Sequence, residues 1–251
     1  MTGKSSAGNG AAAAMTGGLP LFYKDPKPVT EERHGAKSLT KGRNFAFAAK
    51  VNSIPLAASE FLHAARSYPI VFAGQDPATP LALLGLDGGV NHFVSPEGEW
   101  KEGCYVPAYA RRYPFIFSDI PGSDQLALCV DEESGFLEEG SENPFFTEGK
   151  PSEQLQSALK FCERFQRDFD KTSEVVRGLA EAQILVSKEL VYTAKDGQQK
   201  KLTGFRIVDE QKLSEVDDET FLQWRRKGWL GVIYAQIFSL ANIAELARHA
   251  A

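Results

Sequence analysis

The side chains best suited to recognition chemistry crowd into one short segment of this chain. Tyr105, Tyr109, Arg111, Arg112 and Tyr113 stand close together, and Arg66 and Tyr68 occupy a matching segment upstream. A guanidinium forks onto carboxylates and phosphates through paired N–H groups and stacks on aromatic faces. These seven residues form the candidate ligand-binding set. On that reading the two Tyr-Pro turns face each other and their arginines hold an anionic group such as a peptide carboxylate. A structural use competes with it: Arg66 and Arg111 would pair with Asp87 and Asp131, acids that recur in the same two segments. The structural use is preferred. Arg112, where the upstream copy has Ser67, is the position that separates the two.

No catalytic set stands beside this cluster. His34, His63, His92 and His249 lack HxH or HxxxH ligand spacing, so no metal centre is expected. Cys104, Cys129 and Cys162 are odd in number and far apart, which suits buried thiols rather than a disulfide framework. The runs Asp131-Glu132-Glu133 and Glu138-Glu139 would serve acid–base chemistry only if their surroundings split their pKa values, and they read as solvated. Gly85-Leu86-Asp87-Gly88-Gly89 does not open a helix, so it reads as a turn rather than a phosphate cradle. Ser134-Gly135 has no GxSxG frame. Neither a catalytic residue nor a cofactor is expected.

The elements that would position the candidate set repeat. Ala65-Arg66-Ser67-Tyr68-Pro69-Ile70-Val71-Phe72 returns as Ala110-Arg111-Arg112-Tyr113-Pro114-Phe115-Ile116-Phe117, and Leu81-Ala82-Leu83 returns as Leu126-Ala127-Leu128 at the same offset. Residues 45–133 therefore read as one supersecondary unit used twice, with repeats at about 54–87 and 106–131. Before it lie a disordered tail, 1–18, in which Met15 offers an alternative start, and an extended arm, 19–44. Within it, Phe45–Ala48, Ile70–Phe72, Leu81–Leu86 and Val90–Val94 read as strands, and Ala57–Arg66 as a helix ended by Tyr68-Pro69. An acidic linker, 134–150, leads to a helical and hairpin region, 151–251, packed on the first half.

In that last region Leu155, Ala158, Leu159, Cys162, Phe165 and Phe169 share one helical face, and a second helix is expected over about Thr172–Val186. Asp196-Gly197 between Leu190–Thr193 and Leu202–Val208 predicts a β-hairpin. Asp217 or Asp218 caps a helix through Trp224, and the last helix spans Trp229–Ala247. The fold class is α+β: an internally duplicated antiparallel β-rich half, as a bent sheet or small barrel, with a helical plus β-hairpin C-terminal half.

Bulk properties narrow the function classes. With 251 residues, 43% hydrophobic, the chain can bury a real core, and a net charge of −5 without a basic stripe excludes a nucleic-acid surface. No segment reads as a membrane span. The longest uncharged run, Gly228–Ala244, is short and carries Gln236 and Asn242. It follows Arg225-Arg226-Lys227, so a membrane-surface helix stays open beside the preferred core helix. Trp224, Trp229, Tyr234 and Phe238 suit a core better than a dimer face, with a homodimer left open. No secretory signal is recognisable, and a cytoplasmic location is expected.

Several segments together resemble the bacterial SapC family. They are Phe45-Ala46-Phe47-Ala48, Ile54-Pro55-Leu56, Ala64 to Phe72, Tyr105 to Phe115, Gly204-Phe205-Arg206-Ile207-Val208-Asp209-Glu210, and Ile233-Tyr234-Ala235-Gln236-Ile237-Phe238-Ser239-Leu240. The resemblance runs from about Leu19 to Leu246. It implies a binding or accessory protein linked to surface-layer or peptide- and protein-modification systems, with a surface-layer component or a peptide-modifying enzyme as partner. It carries no catalytic residues over. The alternative is an enzyme acting on peptides or amino acids, with the Arg111-Arg112-Tyr113 turn as anion clamp and Asp131 or Glu132 as base.

Overall fold

Antiparallel pairing builds both halves of the computed structural model, which describes residues 15–250 apart from 17, 75, 121, 123, 124, 141, 195 and 196. Most of the tail expected at 1–18 and Asp196 of the hairpin turn lie outside the described residues. The chain divides into two units: residues 1–43 with 112–170, and residues 44–111 with 171–251.

In the second unit five strands form one sheet in the order Leu185–Thr193, Gln199–Val208, Ile70–Ala73, Thr79–Leu83, Ser53–Pro55. Ile70, Val71 and Phe72 are all buried, which is why that strand reads as a continuous apolar run rather than an alternating one. Its pairing with Gln199–Val208 is limited to Ala73 with Phe205 and Phe72 with Arg206. In that register Ile70 would next meet Val208, but a side chain stands between them. Gln236 donates from Nε2 to the Ile70 carbonyl at 2.9 Å and accepts the Val208 N–H at Oε1 at 3.1 Å. Ser239 Oγ accepts the Ile70 N–H at 2.9 Å and donates to the Gln236 carbonyl at 2.5 Å.

These two polar side chains sit on the most apolar helix of the chain, Trp229–Ser239, and both are fully buried. Asn242, three residues further, donates to the Ala65 carbonyl at 2.7 Å. The spacing 236, 239, 242 lays one polar stripe along one helical face, and each member satisfies backbone that the sheet or the Phe61–Ala64 helix leaves unpaired. The helix continues through a 3-10 turn, Leu240–Asn242, into Ile243–Ala250. Trp229–His249, 21 residues, is long and apolar enough to cross a membrane by length and composition, a longer stretch than the sequence reading allowed for. Trp224 and Trp229 are core residues as expected, whereas Tyr234 and Phe238 are exposed.

The first unit holds a three-stranded sheet in the order Pro26–Pro28, Leu126–Asp131, Phe115–Asp119. Two short antiparallel pairs join it, Lys37–Leu39 with Leu137–Glu139 and Phe146–Thr147 with Lys150–Pro151. Leu39, Phe115, Val130, Phe145, Leu155 and Cys162 make its core. The stretch 134–150 is thus not a solvated linker. Its acids are punctuated by Phe136, Leu137, Phe145 and Phe146, and Phe145 has no exposed surface. The arm 19–44 likewise folds into short strands and a helical turn, Glu31–His34, capped by Thr30.

Other local expectations shift for physical reasons. Phe45–Ala48 forms a 3-10 turn over Ala46–Ala48 rather than a strand, and Val90–Val94 contributes only the bridge between Val94 and Trp100. The glycine turn stands. A Cβ on Gly85 would come within 2.2 Å of the Val90 carbonyl oxygen, so the backbone approaches there as only glycine permits. No proline or glycine breaks the chain between Phe169 and Thr172, and a single helix, Glu153–Glu181, replaces the two expected. The hairpin holds, with a bulge where Lys188 pairs Phe205 and Leu190 pairs Leu202; Gly204 takes it up at φ 81°.

The fold is α+β with antiparallel sheets and the helices concentrated toward the C-terminus. Each Tyr-Pro segment follows a short helix and leads into an antiparallel pair. The first pair belongs to the five-stranded sheet and the second to the three-stranded one, because the boundary between units falls at Arg111/Arg112. A duplication of structure is therefore not established.

Gly178 faces the Trp229 ring, and a Cβ there would sit 2.4 Å from its Cζ3. Helix propensity alone would make Gly178→Ala stabilising by about 1 kcal/mol. The overlap should reverse that sign, for a net loss of about 1–3 kcal/mol in urea unfolding. A net gain would show that Trp229 is not held where it is described.

Candidate functional site

A buried carboxylate organises the second unit's polar cluster. Glu60 ends the 3-10 turn Ala58–Glu60, and its Oε2 accepts the Ala57 N–H at 2.9 Å. Its Oε1 accepts the Ala108 N–H at 2.6 Å and the Tyr105 hydroxyl at 2.9 Å. One side chain thus joins two helix starts and orients a tyrosine. Burial pushes the Glu60 carboxyl above its ordinary pKa, while these donors and Arg111 pull it back.

Tyr105 carries the cluster outward. Its hydroxyl accepts from Arg111 Nη2 at 2.9 Å, and Arg111 Nε donates to the Val106 carbonyl at 3.0 Å. The guanidinium carbon lies 5.5 Å from the Tyr105 ring centroid, and the His63 ring stacks on Tyr105 at 5.6 Å. Burial, then the Glu60 charge, push the Tyr105 phenol up to about 12. His63 and Arg111 are exposed and Tyr105 is half-buried. The result is a surface of one cation, one imidazole and one phenol, tied to a buried anion beneath.

The remaining candidate residues divide sharply. Tyr68 is buried: its hydroxyl donates to the Tyr105 carbonyl and accepts from Trp100 Nε1 at 2.8 Å, so it supports Tyr105 from inside. Tyr109 is buried too, and Arg66 is exposed. Arg112 and Tyr113 belong to the other unit. There the buried Arg112 guanidinium lies 4.3 Å from the Phe165 ring and 5.8 Å from that of Tyr23, and Tyr113 donates to Asp131 Oδ2 at 2.9 Å.

The ion pairs expected for the two acids do not form. Asp87 binds Lys200 Nζ at 2.9 Å and the Tyr192 hydroxyl at 3.0 Å. Asp131, fully buried, accepts backbone N–H groups from Lys24 at 3.1 Å, Asp25 at 2.8 Å and Glu133 at 3.2 Å. A carboxylate that satisfies three backbone donors and a phenol is not a solvated acid. It fastens the N-terminal segment to the end of a strand.

Sequence reasoning missed the neighbouring cluster, whose members are about a hundred positions apart. Glu132 accepts from Arg33 Nε at 2.5 Å and Nη2 at 2.7 Å, and meets His34 Nε2 at 3.1 Å. His34 is fully buried, and its Nδ1 accepts the Thr30 N–H at 3.3 Å. That leaves the proton on Nε2, aimed at Glu132, and a neutral ring. Burial lowers the His34 pKa, and the Arg33 guanidinium holds the Glu132 carboxyl down at about 2. The one local hint was the Thr30 cap before Glu31–His34.

Among the described residues no group of three or more His, Cys, Asp or Glu side chains is placed to hold a metal ion. An open groove of about 580 Å³ lies at the hairpin bulge, lined by Gly74, Ser187–Glu189 and Thr203–Arg206.

With this geometry in place, the comparison with known families is direct. The SapC family model matches residues 29–246, and the chain belongs to the SapC family. No curated protein and no solved structure matches it. The family-like segments fall largely on buried framework: Ile54 and Leu56, the Ile70–Phe72 strand, Phe205 and Val208 beside the bulge, and Gln236 with Ser239.

The acid sensitivity of the first unit follows from His34 and Glu132. Both pKa values are depressed on folding. The His34 contribution is present above the ordinary value of 6.5 and is lost as the pH falls below it. The Glu132 contribution is present above 4.5 and is lost toward about 2. Thermal midpoints should fall from pH 7 downward, and Glu132→Gln should flatten the part of the profile below 4.5. Superimposable wild-type and variant profiles would remove the cluster from the stability account.

Proposed function

We propose that this SapC-family protein is a binding or accessory protein, cytoplasmic, working with a surface-layer or a peptide- or protein-modification system. Its partner presents an anionic group, such as a peptide carboxylate, to the Tyr105–Arg111 surface. The observation that carries this reading is Arg111: an exposed guanidinium held in one orientation by the Val106 carbonyl and the Tyr105 hydroxyl. Ordering a long cationic side chain before its ligand arrives lowers the entropy lost on binding.

The enzymatic alternative finds less support. It requires an acid or base within reach of a substrate, and Glu60 spends its carboxylate on three donors in the interior. Asp131 and Glu132, the bases it would use, are bound to backbone N–H groups and to Arg33.

Fluorescent peptides with free C-terminal carboxylates should bind, and the same peptides amidated should bind about tenfold more weakly or worse. Arg111→Ala should reproduce that loss on the free-acid peptides without moving the thermal midpoint. Equal binding of acid and amide, no binding of either, or full affinity in Arg111→Ala would each contradict the assignment.

A further inference from the structure

One helical face is left uncovered. Along Trp229–His249, Gly231, Tyr234, Phe238, Ala241 and Ala244 are all exposed, at spacings of three and four residues that keep them on one side. None of the five is charged. Phe238 is 72% exposed and Tyr234 41%, and their rings stack at 6.3 Å. The opposite side is committed to the fold through Gln236, Ser239 and Asn242. The Phe61–Ala64 helix, which packs on this one, adds Leu62 at 67% exposure. A folded chain does not gain stability by holding such a face against water.

Charge decides between the candidate occupants. Arg225 and Arg226 are exposed in the helical turn just before the stripe, whereas Arg248 at its far end is paired with Glu245. A second copy laid along the stripe offers Arg225 and Arg226 no net negative charge in either direction. Parallel pairing sets them against themselves, and antiparallel pairing sets them against the already neutral Arg248–Glu245 pair. An acyl surface edged with anionic headgroups meets both requirements, since it takes up the aromatic pair and neutralises the flanking guanidinium groups. We propose that this face docks the protein on an anionic lipid bilayer, with the helix lying in the interface plane. The polar stripe bonded to the sheet keeps the helix from spanning: crossing would strip Gln236, Ser239 and Asn242 from their partners and leave those groups in hydrocarbon.

The test uses the full chain and sedimentation with vesicles of phosphatidylcholine alone or with a quarter phosphatidylglycerol. The protein should pellet with the anionic vesicles, pellet poorly with the neutral ones, and be released by high salt. Phe238→Asp, at a position 72% exposed, should lower the partition coefficient about tenfold or more with an unchanged urea midpoint. Arg225→Glu with Arg226→Glu should lower it about fivefold for each charge lost. The proposal is overturned if anionic vesicles pellet nothing, or if Phe238→Asp binds like wild type. It is also overturned if the protein resists extraction by high salt and alkaline carbonate, which indicates a spanning helix. A wild-type dimer in analytical ultracentrifugation that Phe238→Asp dissociates, without vesicle binding, assigns the face to a second copy instead.

Discussion

The second unit depends on one inserted amide. Strands Ile70–Ala73 and Gln199–Val208 begin to pair at Ala73 and Phe72, then part, and the Gln236 side chain fills the place where Ile70 would meet Val208. A primary amide offers a donor and an acceptor, so it can continue a backbone ladder that the strands themselves cannot. Ser239 completes it by accepting the remaining Ile70 N–H. With those groups satisfied, the apolar helix can lie against the sheet without stranding buried backbone, which would cost about 1–3 kcal/mol per group. The helix in turn fixes Ala65 through Asn242, and hence the turn that leads into Tyr68. Tyr68 then holds the Tyr105 carbonyl. The Tyr105–Arg111 surface and the framework are thus one continuous set of bonds.

A parallel logic runs through the first unit with different chemistry. There Asp131 gathers Lys24, Asp25 and Glu133 backbone N–H groups and the Tyr113 phenol, and Glu132 next to it holds Arg33 and His34. Two consecutive acids fasten the N-terminal segment onto the end of a strand. Both units therefore use buried polar groups with every bond directed, rather than apolar packing alone, to fix irregular backbone.

How much of this could be read from the sequence depends on the range of the interaction. Features set by adjacent residues were legible: the pairing of Leu190–Thr193 with the strand that follows it, Asp217 as a cap accepting from Thr220, and the Phe165 and Phe169 face of the long helix. Features set by residues a hundred positions away were not. Asp131 and Glu132 look solvated in one dimension because their partners, Lys24, Asp25 and Arg33, lie far upstream, whereas Glu133, Glu139 and Glu142 are exposed as expected. Gln236 was visible as a break in an apolar run, but nothing local says that its amide completes a sheet. The structure divides the seven-residue Arg and Tyr set. Tyr105 and Arg111 reach the surface together, whereas Tyr68, Tyr109, Arg112 and Tyr113 were too aromatic, or too well placed against aromatics, to stay outside the core.

Amide hydrogen exchange by NMR at Ile70 and Val208, compared between wild type and Gln236→Met, tests the central claim most directly. Methionine keeps the volume and apolar stem and removes both halves of the amide. The account predicts that both amides exchange near the global unfolding limit in wild type. In the variant the Val208 amide should lose protection by about two orders of magnitude or more, and global stability should drop by about 2–4 kcal/mol. Unchanged protection at Val208 with unchanged stability would contradict it, because the helix would then be held to the sheet by apolar packing alone.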